Sequence, residues 1–426
     1  MIIVDTALKK RHEANNPVKV ALVGAGYIGR GITLQIERYL PGMKVVAIAN
    51  RTLSSAVRAF REAGIESVRT VESVSQLNDA ISKGNYAVTD DPQLLCEADG
   101  IDAIIEATGH VEFSAHVALN GIKNKKHMIL MNAELDATVG PILKVYADRA
   151  GVIVTNADGD QPGVMMNLYR FVKSIGYHPV LAGNIKGLQD FYRTPETQKG
   201  FAKAHGLSPE MATSFADGTK ISMENAIVAN ATGFKTGKRG MYGPRCKHVN
   251  EAVDLFPLDE LMAGGLVDYI IGAEPGPGVF VLGHNDHPER RGYMKYFKMG
   301  DGPIYPFYVP YHLPHLEVPL TVARAVLFHD AAVTPIAGPV CDVITMAKRD
   351  LKKGEILDGI GGFTCYGMLE NTSVCQMENL LPMGLSEGCR LKTDIQKDQP
   401  INYHDVELPK GRLCDRLRAE QNQYFQ

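Results

Sequence analysis

The stretch Val20-Ala21-Leu22-Val23-Gly24-Ala25-Gly26-Tyr27-Ile28-Gly29 decides the fold. A short apolar strand runs into Gly-x-Gly-x-x-Gly, and an amphipathic helix follows. Gly24 permits a tight turn, Gly26 lets the backbone approach phosphates, and Gly29 lets the helix sit close to the strand. The helix start at Tyr27 and Ile28 offers free N–H groups and a partial positive charge. In a chain with 42 glycines the motif alone is weak, so its context carries the reading. Val18, Val20, Leu22 and Val23 make a buried strand. Ile28, Ile32, Ile36 and Leu40 recur every four residues as one helix face. Pro41-Gly42 ends the helix. A second apolar strand, Val45-Val46-Ala47-Ile48-Ala49, arrives where a dinucleotide-binding unit requires it.

The end of that second strand selects the cofactor. An acidic residue there would bond the ribose 2′-hydroxyl of NAD and repel a 2′-phosphate. The chain instead has Asn50-Arg51-Thr52, with Ser54 and Ser55 beyond. Arg51 offers charge and the hydroxyls offer donors, which favours NADP(H), with NAD(H) as the alternative. The other reading of Arg51 is a solvated residue at a helix start.

Composition bounds the answer. A chain of 426 residues suggests two or three domains, and 45% hydrophobic with 22% charged residues is ordinary for a globular protein. A net charge of −3 gives no basic field for nucleic acid or a membrane surface. No apolar run is long enough to span a bilayer. Met1-Ile2-Ile3-Val4-Asp5 lacks the regions of a signal peptide. Seven cysteines, with no Cys-x-x-Cys pair, argue against a disulfide framework or a structural zinc site. A cytoplasmic protein is expected.

Three segments are expected. Residues 1–160 form a Rossmann-type doubly wound parallel sheet, preceded by a lead-in over 1–17 with Lys9-Lys10-Arg11-His12 in solvent. Its later strands are Ile101–Ile105, His127–Met131 and Val152–Val154, and residues 52–95 hold a long connection with two extra helices before a strand near Tyr86-Ala87-Val88. These later strands end in Glu106-Ala107-Thr108-Gly109, Asn132-Ala133-Glu134 and Asn156-Ala157-Asp158-Gly159-Asp160. Ligands bind outside the carboxyl ends of such strands, which makes Thr108, Gly109 and Asn132 cofactor candidates. Residues 161–338 form an α+β substrate and oligomerisation domain with an antiparallel or mixed sheet. Residues 339–426 form a β-rich domain with a faint repeat: Arg349–Leu357 is echoed by Thr393–Ile401, each a polar turn and an apolar strand start. With Leu381-Pro382-Met383-Gly384-Leu385 between the copies, this pattern resembles the SAF domain.

Several runs carry candidate chemistry. Gly233–His248 is a glycine-rich loop with Lys235, Lys238, Arg239, Arg245 and Lys247 and no acidic residue. It suits a substrate phosphate, or is simply a solvated basic loop. Lys186, in Asn184-Ile185-Lys186-Gly187, follows an apolar stretch and is placed to polarise a carbonyl or move a proton; the bland reading is a surface lysine. Tyr311–Leu320 concentrates His312, His315 and Glu317, and Pro314 and Pro319 make the run partly irregular, so spacing fixes no shared face. A general acid with substrate hydrogen bonds, or a capped helix start, both fit. Pro314 between the histidines weakens a metal reading, so no metal ligand is assigned and a divalent-metal requirement stays open. Arg324 lies seven residues after Glu317, on the same helix face, and either reaches the site or pairs with Glu317. Asp160 before Gln161-Pro162 reads as an N-cap or as a carboxylate aimed into the cleft.

These residues carry a resemblance. Ala87-Val88-Thr89-Asp90-Asp91, Met131-Asn132-Ala133-Glu134, Gly240–Arg245 and Pro310-Tyr311-His312 through Arg324 are similar to runs in homoserine dehydrogenase-like oxidoreductases with a C-terminal SAF domain. Within that group the chain resembles the 1-deoxy-D-xylulose 5-phosphate reductoisomerase-like enzymes along almost its whole length, most specifically over Leu316–Arg324. The resemblance implies an NADPH-dependent enzyme acting on a small sugar phosphate or polyol. For the reductoisomerases it implies rearrangement of a ketose phosphate followed by hydride delivery to an aldehyde. Lys186 would polarise the carbonyl, Arg245 would hold phosphate, and His312, His315, Glu317 and Arg324 would line the pocket. Two departures matter. Homoserine dehydrogenases carry a lysine after the asparagine where this chain has Ala133, and their Asp-rich substrate helix is missing. The Lys186 loop is less lysine-rich than in the reductoisomerase-like enzymes, and Gln189–Arg193 also differs.

The expectation is therefore an NADPH-dependent oxidoreductase of a small phosphorylated or polyhydroxylated carbonyl compound. Lys186, Asp160, Glu317 and His315 are its catalytic candidates, and Arg245, His312 and Arg324 its substrate-binding ones. A dehydrogenase or oxidoisomerase of a plain sugar acid or nucleotide-linked sugar is the alternative, and an NADP-sensing binding protein the second. The expected partners are a small-molecule substrate and further copies of the chain, as a dimer or tetramer.

Overall fold

The computed structural model describes residues 3–426. Met1 and Ile2, the first residues of the expected lead-in and of the N-terminus read for a signal peptide, lie outside the described residues. Helix α1 (Val4–Glu13) precedes β1 (Val18–Val23). Then come α2 (Tyr27–Tyr39), β2 (Met43–Ala49), α3 (Leu53–Glu62), β3 (Val68–Thr70), α4 (Val74–Ser82), β4 (Tyr86–Thr89) and α5 (Pro92–Glu97). This stretch closes with β5 (Ala103–Glu106), α6 (Val111–Lys123), β6 (His127–Leu130), α7 (Ala133–Ala150) and β7 (Val154–Asn156). The middle forms α8 (Gln161–Ser174), β8 (His178–Lys186), α9 (Pro195–His205), α10 (Pro209–Ala216), α11 (Thr219–Thr232) and α12 (Leu258–Met262). It continues with β9 (Leu266–Ile271), β10 (Gly278–His284), α13 (Pro288–Tyr296), β11 (Ile304–Val309) and α14 (Pro314–Phe328). The remainder forms β12 (Cys341–Ala347), β13 (Cys365–Asn371), α15 (Thr372–Met377), β14 (Arg390–Leu391), β15 (Val406–Glu407) and α16 (Leu413–Tyr424).

These elements gather into two compact units. The first holds the chain up to Asp160, Leu313–Thr334 and Arg416–Tyr424; the second holds Gln161–His312, Pro335–Asp415 and the last two residues. The segments read as 161–338 and 339–426 thus fall mainly in the second unit, while α14 and most of α16 belong to the first.

The first unit is the α/β doubly wound fold that its opening motif demands. Its seven-stranded sheet has the order β3-β4-β2-β1-β5-β6-β7, and every pairing is parallel. The chain winds outward in both directions from β1, so the ligand crevice opens at the carboxyl ends of β1 and β5. Ile32 and Ile36 of α2 are fully buried, with Ile28 and Leu40 packed at the margin. Each such burial contributes about 2 kcal/mol. Three features depart from the sequence reading. The lead-in is a helix whose Val4 and Leu8 join the core. Residues 52–95 contain a short edge strand, β3, between their two extra helices; Val68-Arg69-Thr70 is too short and polar to announce itself. Pro314 and Pro319 do not make their run irregular, because both sit in the continuous α14, Pro314 in its first turn where a missing N–H costs nothing.

The second unit is built on a mixed sheet of order β11-β10-β8-β9, with α8 and α11 packed against it. Beyond it, the two repeat copies pair with each other. Leu351 and Ile395 exchange both backbone hydrogen bonds, at 2.8 and 3.0 Å. The aspartates at matching positions do the same reciprocally: Asp350 accepts from the Lys397 N–H and Asp394 from the Lys353 N–H, each at 2.9 Å. The repeat is therefore a local pseudo-twofold, each turn capped by the other's carboxylate.

One buried acid of the first unit gives a stability test. Asp136, one turn into α7, is 3% exposed, and burial lifts its carboxyl to about 7, with the Asn156 amide acting the other way. A raised acid favours the protonated folded state, so its stabilising contribution is full below about pH 4 and is lost as pH rises through about 7. Chemical denaturation of Asp136→Asn and wild type should show a stability difference that moves in the variant's favour by a few kcal/mol across this window. A pH-independent difference would contradict it.

Candidate active site

The glycine loop of the first unit has the geometry of a phosphate cradle. Gly24 takes φ 103°, and a Cβ there would lie 2.8 Å from the Ala107 carbonyl oxygen. A Cβ on Gly29 would collide with the Gly24 carbonyl, so α2 packs against the loop at a distance only glycine permits. Gly26 is different. Its φ is −71° and no heavy atom lies within 4 Å of where its Cβ would stand, so the loop is open on that side. No side chain caps the α2 N-terminus, which leaves the N–H groups at Tyr27 and Ile28 for a ligand.

The loop is held by strand ends. Gly24 N–H donates to Ala49 O at 2.9 Å, and Ala25 N–H to the Asn50 side-chain oxygen at 3.0 Å. Asn50 also donates to the Thr52 carbonyl at 2.9 Å. Its side chain therefore shapes the loop and the turn into α3, while Arg51 and Thr52 beside it are exposed. Arg51 makes no ion pair or hydrogen bond among the described residues.

A buried cluster joins the next two strand ends. Glu106, at the end of β5, has no exposed surface. One of its oxygens accepts from the Thr108 N–H at 3.0 Å and from the Thr108 hydroxyl; the other accepts from the Asn132 amide at 2.8 Å. Asn132 also donates to Ser114 Oγ at 2.9 Å and caps α7 by accepting the Leu135 N–H at 2.9 Å. Burial raises the Glu106 pKa, and the bonds from Thr108, Asn132 and Ser114 oppose that rise. Thr108 and Asn132 are thus fixed by one carboxylate. Gly109, at φ 79° with open space around its Cβ position, forms a half-buried lip beside them.

The run from His315 to Arg324 also lies in this unit, and the structure gives its residues distinct jobs. The His315 ring covers Gly31 of α2: a Cβ on Gly31 would sit 2.7 Å from it. The ring meets Tyr27 edge-on at 6.1 Å, and its Nδ1 is buried without a hydrogen-bond partner. Glu317 accepts the Leu313 N–H at 3.1 Å and so caps α14; burial raises its pKa, the Leu313 bond opposes this, and Asp158 adds to it. Arg324 pairs with two aspartates rather than with Glu317. Its guanidinium holds Asp158 at 3.1 Å and Asp330 at 2.8 Å, and Thr321 completes the clamp on Asp158. This ties α14 to the strand end that leads into Gly159 and the buried Asp160.

In the second unit the sheet places Lys186 and Arg245 on one row. Lys186 of β8 pairs with Ile271 of β9, and Ile271 pairs in parallel with Arg245 of the basic loop. Paired residues project to the same face, so the backbone positions of the two residues lie two strands apart, about 10 Å. Arg245 is exposed and Lys186 partly so. Asp268, buried in β9, sets the loop's course by accepting the N–H groups of Tyr242 at 2.8 Å and Gly243 at 2.9 Å; burial lifts its carboxyl to about 6. His312 follows β11 at the end of this unit's first segment.

Sequence reading missed a buried polar row next to Lys186. Asn184, two residues earlier on the same face of β8, donates to Gln161 at 2.7 Å and to Glu224 at 3.0 Å, and accepts from Asn225 at 2.7 Å. All four are at most 3% exposed. The signal was available in α11, where Glu224-Asn225 falls within the mainly apolar run Ile221–Ala231. Among the described residues no three His, Cys, Asp or Glu side chains gather as a metal would require, and no described helix is long and apolar enough to cross a membrane.

Two family models match parts of the chain. Residues 24–154 match the family "Homoserine dehydrogenase, NAD binding domain", and residues 159–318 match "Oxidoreductase DRL, catalytic domain". No curated protein matches the chain. Among solved structures it is similar to a probable dehydrogenase from Thermotoga maritima (12% identity, TM-score 0.44, 74% of this chain and 90% of that one). A myo-inositol 2-dehydrogenase from Lactobacillus plantarum (12%, 0.40, 74% and 91%) and a 3-ketoreductase from Actinomadura kijaniata solved with NADP (13%, 0.37, 74% and 90%) are similar too.

The open face at Gly26 yields a test that separates binding from folding. Gly26→Ala should melt like the wild type, because its Cβ meets nothing, yet bind NADPH or NADH at least about tenfold more weakly. Unchanged affinity in a titration of nicotinamide fluorescence would place the pyrophosphate elsewhere. With a homoserine dehydrogenase-type NAD-binding domain followed by an oxidoreductase catalytic domain, the protein is an NAD(P)-dependent oxidoreductase.

Proposed function

We propose that the protein reduces a small phosphorylated carbonyl compound of the sugar class with NADPH, in a reaction of the reductoisomerase type. The observation that carries this reading is the shared row of Lys186 and Arg245. A spacing of about 10 Å suits one substrate whose carbonyl meets the lysine while its phosphate meets the arginine. The buried row behind Lys186, in which Asn184 bonds Gln161, Glu224 and Asn225, fixes the strand from which the lysine emerges. A β-rich SAF-like module fits the reciprocal pairing of the two repeat copies.

The catalytic assignment follows. Lys186 polarises the carbonyl oxygen and stabilises charge as hydride arrives. His315 packs against α2 and Glu317 caps α14, and both stay candidates for a general acid. Asp160 remains a candidate for handling a proton. Arg324 acts as a clamp, and His312 remains a candidate for substrate contact. A bound dinucleotide would supply the hydride; the Tyr27 and Ile28 N–H groups would hold its pyrophosphate, and Thr108, Gly109 and Asn132 are the strand-end candidates for contact with it.

NADP preference rests on Arg51, exposed beside Thr52 at the end of β2 with no acid in its place. Arg51→Ala should weaken NADPH at least about tenfold and leave NADH unchanged, since a charged hydrogen bond is worth about 1.5–3 kcal/mol. Equal losses for both dinucleotides would remove the preference.

A panel of ketose and aldose phosphates beside their unphosphorylated parents, read by nicotinamide absorbance, tests the substrate class. Arg245→Ala should lower kcat/KM by about ten- to a hundredfold for phosphorylated substrates only. Turnover confined to plain sugars, with Arg245→Ala silent, favours the dehydrogenase of an unphosphorylated sugar instead.

A further inference from the structure

Helix α7 contains an internal proline, and the C-terminal helix answers it. Pro141 has no N–H, and its ring crowds the preceding turn, so the helix ladder is disturbed there. In an undisturbed helix Ile142 N–H would serve Thr138 C=O. In this chain both groups also find partners on α16: the Ile142 N–H donates to Gln421 Oε1, and Arg418 donates to the Thr138 carbonyl, each at 3.2 Å. Arg418 is 5% exposed and Gln421 1%, so two polar side chains are buried at a single turn of another helix. Burying them is unfavourable unless those bonds are made, which makes the docking specific as well as apolar.

The disturbed turn lies behind the cofactor face. The turns of α7 before Pro141 are buried throughout and begin at Asn132. Asn132 is bonded to Glu106, Glu106 to Thr108, and Thr108 packs against Gly24, where a Cβ would lie 3.2 Å from the Thr108 methyl. Any tilt of α7 at its weak turn therefore moves the cap, the β5 lip and the glycine loop in sequence.

We infer that α16 is a positioning element of the dinucleotide site: Arg418 and Gln421 splint α7 at Pro141 and so hold Asn132 and Thr108 in register with the glycine loop. The proposal rests on dinucleotide binding by this unit and on no assumption about substrate.

The test uses the full chain with Gln421→Ala and Arg418→Ala, the rescuing variants Gln421→Glu, which still presents an oxygen to Ile142, and Arg418→Lys, which still donates. Glu420→Ala is the control, because Glu420 meets α7 only at the exposed Tyr146 hydroxyl. NADPH affinity is measured by fluorescence and stability by thermal melting. The two splint alanine variants should bind NADPH about tenfold more weakly, with the rescuing variants within about threefold of wild type. Glu420→Ala should change melting alone. If Arg418→Ala does not fold, Gln421→Ala decides. Wild-type affinity in the folded alanine variants, or equal loss in Glu420→Ala, overturns the splint. A wild-type protein that binds neither NADPH nor NADH overturns both the splint and the dinucleotide site beneath it.

Discussion

A carboxylate with no exposed surface, Glu106, stands at the point where the nucleotide-facing strand ends converge. Leaving such a group unpaired would cost several kcal/mol, so its surroundings are constrained to supply donors. They come from the turn after β5 and from the cap of α7. Satisfying one buried acid thereby fixes two loops, and the first of those loops walls the glycine turn after β1. Arg324 repeats the device at the next strand end, where Asp158 is clamped by Arg324 and Thr321. The first unit presents a flexible ligand with a preformed surface, which lowers the ordering cost of binding.

The second unit uses the same economy of buried acids. Asp268 gathers backbone N–H groups of the Tyr242-Gly243 turn and so delivers Arg245 to the row that holds Lys186. Asn184 organises Gln161, Glu224 and Asn225 on the face from which Lys186 emerges. The four side chains satisfy one another inside the unit, so the strand end that carries Lys186 is held by fixed hydrogen bonds.

What the sequence made legible follows from range. The β1–α2 unit is encoded by neighbours: a strand, three glycines at fixed offsets and an apolar stripe of helical period, so it could be read without knowing what lies across space. The residue types of the candidate site were legible for the same reason. Their partners were not. Arg324 and Glu317 share a helix face, yet the arginine binds Asp158 and Asp330, because a buried aspartate at a strand end makes the stronger claim on it. His315 was readable as a histidine near a carboxylate; its contact with Gly31 required the packing of α14 on α2. The repeat of 349–357 in 393–401 was visible as a pattern, while its meaning, two turns capping one another, is a fact of pairing.

The account centres on where the dinucleotide lies, and a crystal structure of the protein grown with NADPH measures that most directly. The account predicts the pyrophosphate against Gly26 on the N–H groups of Tyr27 and Ile28, the 2′-phosphate on Arg51, and the nicotinamide beside Thr108 and Asn132. A pyrophosphate bound away from the glycine loop, or a 2′-phosphate with no contact to Arg51, would contradict it.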